Sequence, residues 1–325
     1  MTHSSSDRTG TVLGILALVF WSTSIAFVRD LSKDIGPLTL AAYNYLLSGV
    51  VSLIWAARAP GGLKAMFRLP PLYLYGCGAI FILYTVAYYL AVGSASTDAQ
   101  IPEILLINYL WPSLTLLLAV PILGQRARWP ILVPGLLIAL AGVVLAMTQR
   151  GGGDAVGFLA RFVANVRADW FPYAAAFVGA VTWSVYSNLV RRWGGTGGAV
   201  PLFFLGSGIV IFIMRLFRDE PSHWTAPVIA LFLATTFFTT ILAYMFWDRA
   251  MRTGNVVLLA VFSHGLPLVA TFATCIVLNL RVGGLLWVAC GLVILGAALC
   301  TWSTRWTAGN TNIEARNPKQ IPNAD

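Results

Sequence analysis

Asn108, Trp111 and Pro112 are the most chemically suggestive cluster in this 325-residue chain. At about 100° per residue, Gln100, Asn108, Trp111 and Thr115 fall within roughly 80° of one another on a helix. Pro112 has no N–H, so the carbonyl of Asn108, four residues earlier, is freed. A free carbonyl beside an amide and an indole suits an ammonium group; the same proline also reads as a plain bend for packing. Ser263, His264, Pro267, Thr271 and Thr274 repeat the design, with Pro267 freeing the Ser263 carbonyl. His264 reads as a neutral imidazole hydrogen-bonded in the interior, or as a carboxylate contact or proton relay.

Rings supply the second pattern. Trp21 shares a helical face with Gly14, Ala17 and Ser24, and Trp183 shares one with Ala176, Gly179, Tyr186 and Ser187. A tryptophan beside small residues in the middle of an apolar run is either a pocket wall or a packing residue. Tyr84 and Tyr88, one turn apart, need partners for their hydroxyls, from a hydrated cavity or from backbone carbonyls. Thr240, Tyr244, Trp247 and Asp248 gather in a later run, where Asp248 beside Arg249 reads as an ion pair at the interface rather than a buried coupling site. Glu103 reads as an acid favoured by a helix N-terminus, or as a cation-attracting group at a cavity mouth. The candidate substrate-binding residues are thus Trp21, Tyr84, Tyr88, Asn108, Trp111, Trp183, Tyr186, Ser263 and His264, with Pro112 and Pro267 as kinks. No catalytic set emerges. Three histidines, and four cysteines without a CxxC pair, offer no metal site, and no cofactor is expected.

The elements that must position these residues are long and apolar. The chain is 58% hydrophobic and 10% charged, with a mean hydropathy of +0.78. Soluble domains carry about 25% charged residues. This composition excludes a soluble enzyme, a disordered chain and a disulfide scaffold, and leaves an all-α polytopic membrane protein. A crossing takes about 20 residues, and the apolar runs at 11–28, 38–57, 72–92, 101–122, 131–148, 171–190, 199–217, 226–247, 255–279 and 283–302 supply ten. Pro60-Gly61-Gly62, Pro70-Pro71, Gly151-Gly152-Gly153 and the glycines at 194–198 mark the turns. Gly135, Ala139, Gly142 and Ala146 form a small-residue stripe in the fifth run. Gly284, Gly291 and Ala298 form another in the tenth, for close helix approach or a protomer contact.

The net charge of +9 comes from Lys and Arg set between the runs. That is a topology signal and not a nucleic-acid surface. Most of the 21 basic residues fall on one side if both ends of the chain are cytoplasmic. The halves also correspond. Trp21-Ser22 aligns with Trp183-Ser184, and at the same spacing Ala17 meets Gly179, Val28 meets Val190 and Arg29 meets Arg191. Pro112 aligns with Pro267, which pairs Asn108 with Ser263. An odd number of crossings inserts the second copy upside down, so two inverted five-helix repeats are expected, with a binding site at mid-membrane between them. The expected organisation is a cytoplasmic tail at 1–10, a first repeat at 11–148, a connector at 149–170, a second repeat at 171–302 and a polar cytoplasmic tail at 303–325. Within the connector, Phe158, Phe162 and Val166 beside Arg161 and Arg167 predict a surface amphipathic helix.

The five-plus-five pattern resembles the drug/metabolite transporter superfamily with EamA-type repeats, over essentially residues 11–302. The run Glu103 to Pro112, reading EILLINYLWP, is similar to that of the YddG group of aromatic amino acid exporters, as are Trp21-Ser22-Thr23-Ser24 and Tyr88-Tyr89. EamA repeats often carry an acid just after the fourth helix; Gly124-Gln125-Arg126 and Asn279-Leu280-Arg281 stand there in this chain, so no role for that acid carries over. The resemblance implies an exporter of amino acids, aromatic or neutral and of broad specificity, in the bacterial inner membrane. Alternating access through an aromatic-lined cavity between helices 1, 3, 4, 6, 8 and 9 would move the substrate. The expected partners are small-molecule amino acids and the lipid bilayer, with no nucleic acid and no obligatory protein. No acid falls at mid-run, which favours downhill flux over proton coupling. A multidrug or cationic-metabolite exporter would need Glu103 as its carboxylate. A non-transporting scaffold or receptor is the reading from another class. An intramembrane enzyme is set aside, because the chain has neither HExxH nor GxSxG.

Overall fold

A computed structural model describes residues 8–59, 61–97, 100–150, 155–195, 197–266, 268–269 and 284–315; all regular structure among them is helical. The first half contains α1 (Arg8–Ile35), α2 (Pro37–Arg58), the short α3 (Gly62–Phe67) and α4 (Leu72–Gly93). It continues with α5 (Ile101–Asn108), α6 (Trp111–Leu123) and α7 (Trp129–Arg150). The connector is α8 (Ala155–Ala168). The second half holds α9 (Phe171–Trp193), α10 (Val200–Arg215), α11 (Ala226–Thr253), α12 (Val256–Ser263) and α13 (Gly284–Ala315). Among the described residues, five stretches are long and apolar enough to cross a bilayer: Pro37–Arg58, Leu72–Gly93, Glu103–Leu123, Trp129–Ala146 and Ala226–Thr253. Large apolar side chains such as Val19, Val50, Leu137, Ile213 and Ile294 are exposed around the bundle. A multi-pass membrane protein presents this kind of surface to lipid.

Local chemistry explains where the helices depart from regularity. The fourth apolar run is not one helix. It stops at Asn108, turns through Tyr109 and Leu110, and restarts at Trp111 with Pro112 in its first turn. A proline without an N–H is tolerated there and costs a hydrogen bond anywhere deeper. Ser184 then fastens α9 to the restart by donating to the Trp111 carbonyl at 2.9 Å, and Asn188 donates to the Thr115 carbonyl at 3.0 Å. In the ninth run α12 ends at Ser263, the residue aligned with Asn108. Pro267, Thr271 and Thr274 lie outside the described residues. In α11, Thr235–Leu242 winds as a π-helix. Four threonines crowd this stretch, and Thr239 turns its hydroxyl back onto the Thr235 carbonyl at 2.8 Å.

Glycines set the close contacts. A Cβ on Gly142 would stand 2.8 Å from the Ala289 carbonyl, and one on Gly296 would stand 2.5 Å from backbone atoms of Gly135 and Ala139. These contacts press α7 against α13 through the small-residue stripe expected of the fifth run. The tenth run uses a different face. Gly284 and Gly291 would meet nothing within 4 Å, while Ala289, Val293 and Cys300 are buried. Local spacing by sevens could not say which side faces α7, because the apolar residues of α13 surround it. Gly49 and Gly208 bring α2 and α10 together in the same way, against the backbone of Leu205 and Leu46. The α13 backbone stays helical to Ala315, into the stretch whose polar composition predicts a tail.

Candidate substrate-binding site

Tryptophans and tyrosines from both halves meet at the centre of the bundle. Trp21 lies edge-on to Trp183 at 5.6 Å and tilted against Trp247 at 5.4 Å between ring centroids. Trp111 stands perpendicular to Trp247 at 5.4 Å, and Trp183 lies over Tyr84 at 4.6 Å. Trp111 and Trp183 are 5% and 3% exposed, so neither ring points into lipid. The indole N–H of Trp21 donates to the Thr239 carbonyl at 3.1 Å, inside the π-helical stretch. Trp247 donates to the Ser187 hydroxyl at 3.2 Å.

A cavity of about 100 Å³ opens beside these rings. One water needs about 10–15 Å³ on this measure, so there is room for several waters or part of a small solute. Trp21, Tyr84, Tyr88, Asn108, Trp111 and Trp183 all line it, six of the residues singled out by the sequence. Tyr45 and Tyr244 add two hydroxyls 3.2 Å apart. Val28, Tyr89 and Leu105 continue the wall toward the C-terminal ends of α1 and α4 and the start of α5. No charged side chain lines the cavity among the described residues.

Three candidates sit elsewhere. Tyr186 is 1% exposed, stacked on Trp183 at 5.2 Å, with its hydroxyl donated to Asp248 at 3.3 Å. Ser263 donates to the Leu259 carbonyl at 2.7 Å. His264 spends both ring nitrogens inside the bundle: Nε2 is 2.9 Å from the Ser113 hydroxyl and Nδ1 is 3.0 Å from the Ala260 carbonyl. From that part of the chain, Leu266 lines the cavity instead.

Helix α2 contributes a wall residue that the sequence reading did not include. Asn44 is 3% exposed and lines the cavity. Its amide nitrogen donates to the Thr240 hydroxyl at 2.8 Å, and its side chain also meets the Tyr89 hydroxyl. Asn108 Oδ1 is buried without a partner. An orphaned buried acceptor costs about 1–3 kcal/mol. The available signal was Asn44, Ser48 and Ser52 at one-turn spacing, a polar line on an otherwise apolar helix.

The two noteworthy acids flank this cavity without lining it. Glu103 is 3% exposed. Its carboxylate accepts from the Asn165 amide at 3.0 and 3.1 Å and from the Tyr173 hydroxyl at 2.5 Å. The connector helix α8 therefore docks on α5, helped by Phe162 against Tyr173 at 5.6 Å. Asp248 is 1% exposed, so the surface ion pair with Arg249 expected from the sequence gives way to a buried pair with Arg252, one turn on, at 2.9 Å. Tyr73 also donates to Asp248, at 2.8 Å. Adjacency in sequence misled here, since residues one turn apart share a helix face and neighbours do not. Among the described residues, no three His, Cys, Asp or Glu side chains gather as metal ligands.

Comparison with known proteins adds identity to this geometry. The EamA-like transporter family matches residues 8–148. The aromatic amino acid exporter YddG of Salmonella typhimurium is 32% identical over 301 residues, which is 92% of this chain and 99% of that protein. The exporter of the same name from Escherichia coli is 30% identical over 91% of this chain and 97% of its own length. That from Ancylobacter novellus is 30% identical over 92% and 99%. A crystal structure with 31% sequence identity superposes with a TM-score of 0.75 and covers 93% of this chain and 99% of its own.

Proposed function

The chain belongs to the EamA-like transporter family, among relatives of the YddG aromatic amino acid exporters, and from that premise we propose that it exports amino acids through the cavity between its halves. It is a transporter and not an enzyme. The observation that carries the substrate class is the wall itself: rings, amides and hydroxyls with no net charge among the described residues. Such a wall accepts side chains by area and shape, which gives broad preference for aromatic and neutral substrates. Trp21, Tyr84, Tyr88, Asn108, Trp111 and Trp183 are the binding residues of this reading.

Alternating access would follow from two inverted five-helix repeats, 11–148 and 171–302. The packing supports this division: α1 lies on α11 as α9 lies on α4, while α2 pairs with its counterpart α10 and α7 with α13. The breaks after Asn108 and Ser263 fall at aligned positions. The Lys and Arg distribution supports cytoplasmic termini in the inner membrane. In that orientation the cavity extends from the tryptophans toward the outer face, and Trp247, Tyr186 and the Asp248–Arg252 pair close the cytoplasmic side. This is an outward-facing arrangement.

The test is flux of labelled phenylalanine in proteoliposomes, competed by a panel of amino acids and cationic dyes. Neutral aromatic amino acids should compete best, and replacing Trp111 or Trp183 by Ala should lower flux. Unchanged flux in both variants would support the scaffold or receptor reading instead. Strong drive by an imposed proton gradient would refute downhill export. The cationic-drug reading loses its carboxylate, because Glu103 is engaged by Asn165 and Tyr173 and is not on the cavity wall.

A further inference from the structure

A second hollow lies on the outside of the bundle, apart from the ring-lined cavity. It is a groove of about 300 Å³ between α4 and α10, with Phe67 of α3 at one edge. Among the described residues that line it, Tyr75 alone has a polar group on its side chain. Phe67 and Tyr75 are 63% and 71% exposed. An apolar groove open on the outer surface of a membrane protein meets hydrocarbon, and a tyrosine at its edge suits the level of the headgroups.

The charge beside the groove has one sign. Arg58 ends α2, Lys64 and Arg68 follow before α4, and the chain has no Asp or Glu between Asp34 and Asp98. Lys64 and Arg68 are exposed, and among the described residues neither is in an ion pair. At helical spacing Lys64, Phe67 and Arg68 fall within about 100° of one another. Both cations therefore share a face with the ring that lines the groove. We propose that this groove binds an anionic phospholipid of the cytoplasmic leaflet, with an acyl chain between α4 and α10 and the headgroup on Lys64 and Arg68. Basic residues at the membrane surface favour a headgroup of net negative charge over a zwitterionic one.

The site backs onto the closed end of the central cavity. The first turns of α4, Leu72–Cys77, wind as a π-helix. Tyr73 turns inward from them to Asp248 at 2.8 Å, while Leu74 and Tyr75 line the groove. Phe203, buried at the bottom of the groove, packs on Tyr73 at 5.5 Å and on Tyr186 at 6.4 Å between ring centroids. These are the two tyrosines that donate to Asp248. A chain lying on Leu74 and Phe203 braces both, so an occupied groove favours the closed cytoplasmic side. The site goes beyond the export reading and does not depend on which solute is carried.

Native mass spectrometry of the detergent-solubilised protein tests this, with phosphatidylglycerol and phosphatidylcholine of the same acyl chains as probes. Phosphatidylglycerol should bind about tenfold more tightly, and should slow maleimide labelling of Cys77, which is buried near Asp248. Lys64→Gln combined with Arg68→Gln should remove the preference and leave phosphatidylcholine binding unchanged. Ala79 is exposed and lines the groove, so Ala79→Trp should fill it and weaken binding of both lipids with the two cations in place. Equal affinity for the two lipids in the unmodified protein, or a preference that survives the double replacement, overturns the headgroup assignment. Undiminished binding in Ala79→Trp overturns the groove as the chain site. Cys77 labelling that ignores bound phosphatidylglycerol overturns the bracing. None of these readouts uses transport, so loss of the export reading would leave the lipid site standing.

Discussion

Two acids are buried at opposite ends of this bundle, and they are held in different ways. Among the described residues, Glu103 meets neutral donors only, Asn165 from the connector helix and Tyr173 from α9. Asp248 meets a cation, Arg252, and two tyrosines from other helices, Tyr73 of α4 and Tyr186 of α9. Arg191 of α9 adds a hydrogen bond to the Arg252 carbonyl, and the Tyr73 hydroxyl also accepts from the Ala199 N–H at 3.0 Å. The first arrangement ties a surface helix to the start of α5. The second stitches three helices and a loop across the floor beneath the tryptophans. The paired charges of the floor, Asp248 and Arg252, sit on one helix, one turn apart. Opening that end would therefore leave this ion pair intact; it would break hydrogen bonds from neutral tyrosines to an ion that keeps its counter-ion. Leaving one ion of such a pair buried without its partner costs about 3–5 kcal/mol. Breaking one such hydrogen bond costs about 1.5–3 kcal/mol, a scale compatible with a reversible gate.

The contrast is open to experiment. Asp248→Leu should have the largest effect, because it leaves Arg252 buried without a counter-charge; a stability loss of about 3–5 kcal/mol should appear as a lower Tm of the detergent-solubilised protein. If Tm holds, the floor pair does not stabilise the fold as argued. Trp183→Ala, which removes a ring packed on Trp21, Tyr84 and Tyr186, should cost about 3–5 kcal/mol of packing, spread over the cavity and its floor. Phenylalanine flux measured per folded protein should fall by at least tenfold. Tyr73→Phe is milder. It strips one hydrogen bond from Asp248 and one from Ala199, and should shift the population toward an inner-open state by about tenfold. Cys77, buried near Asp248, reports that shift as faster maleimide labelling. Glu103→Gln should have the smallest effect. The amide keeps an oxygen for Tyr173 and Asn165, so both phenylalanine flux and cationic dye efflux should stay within about twofold. A selective loss of dye efflux would restore Glu103 as a substrate group.

Much of the site was legible because its signals are local. Pro112 stands where the fourth run breaks, and Trp21, Trp111 and Trp183 stand among small or polar neighbours in apolar runs, so a helical wheel places them on interior faces. His264 and Ser263 passed the same test and yet do not reach the cavity, because the Ser113 hydroxyl and backbone carbonyls satisfy them first. Asn44 was overlooked because α2 is apolar around most of its circumference, and the polar line of Asn44, Ser48 and Ser52 does not tell which neighbours it meets.

Hydropathy, proline positions and ring placement along the chain determined that this is a helical membrane protein with an aromatic centre, since each of these acts through a residue and its nearest turns. Tertiary structure decided which partners the buried acids and amides find. Asn44 finds Thr240, Tyr73 finds Asp248, and Glu103 finds Asn165 across 196, 175 and 62 residues of chain. Helical periodicity repeats every few residues and carries no information over those distances; only the packing of the helices brings such partners together.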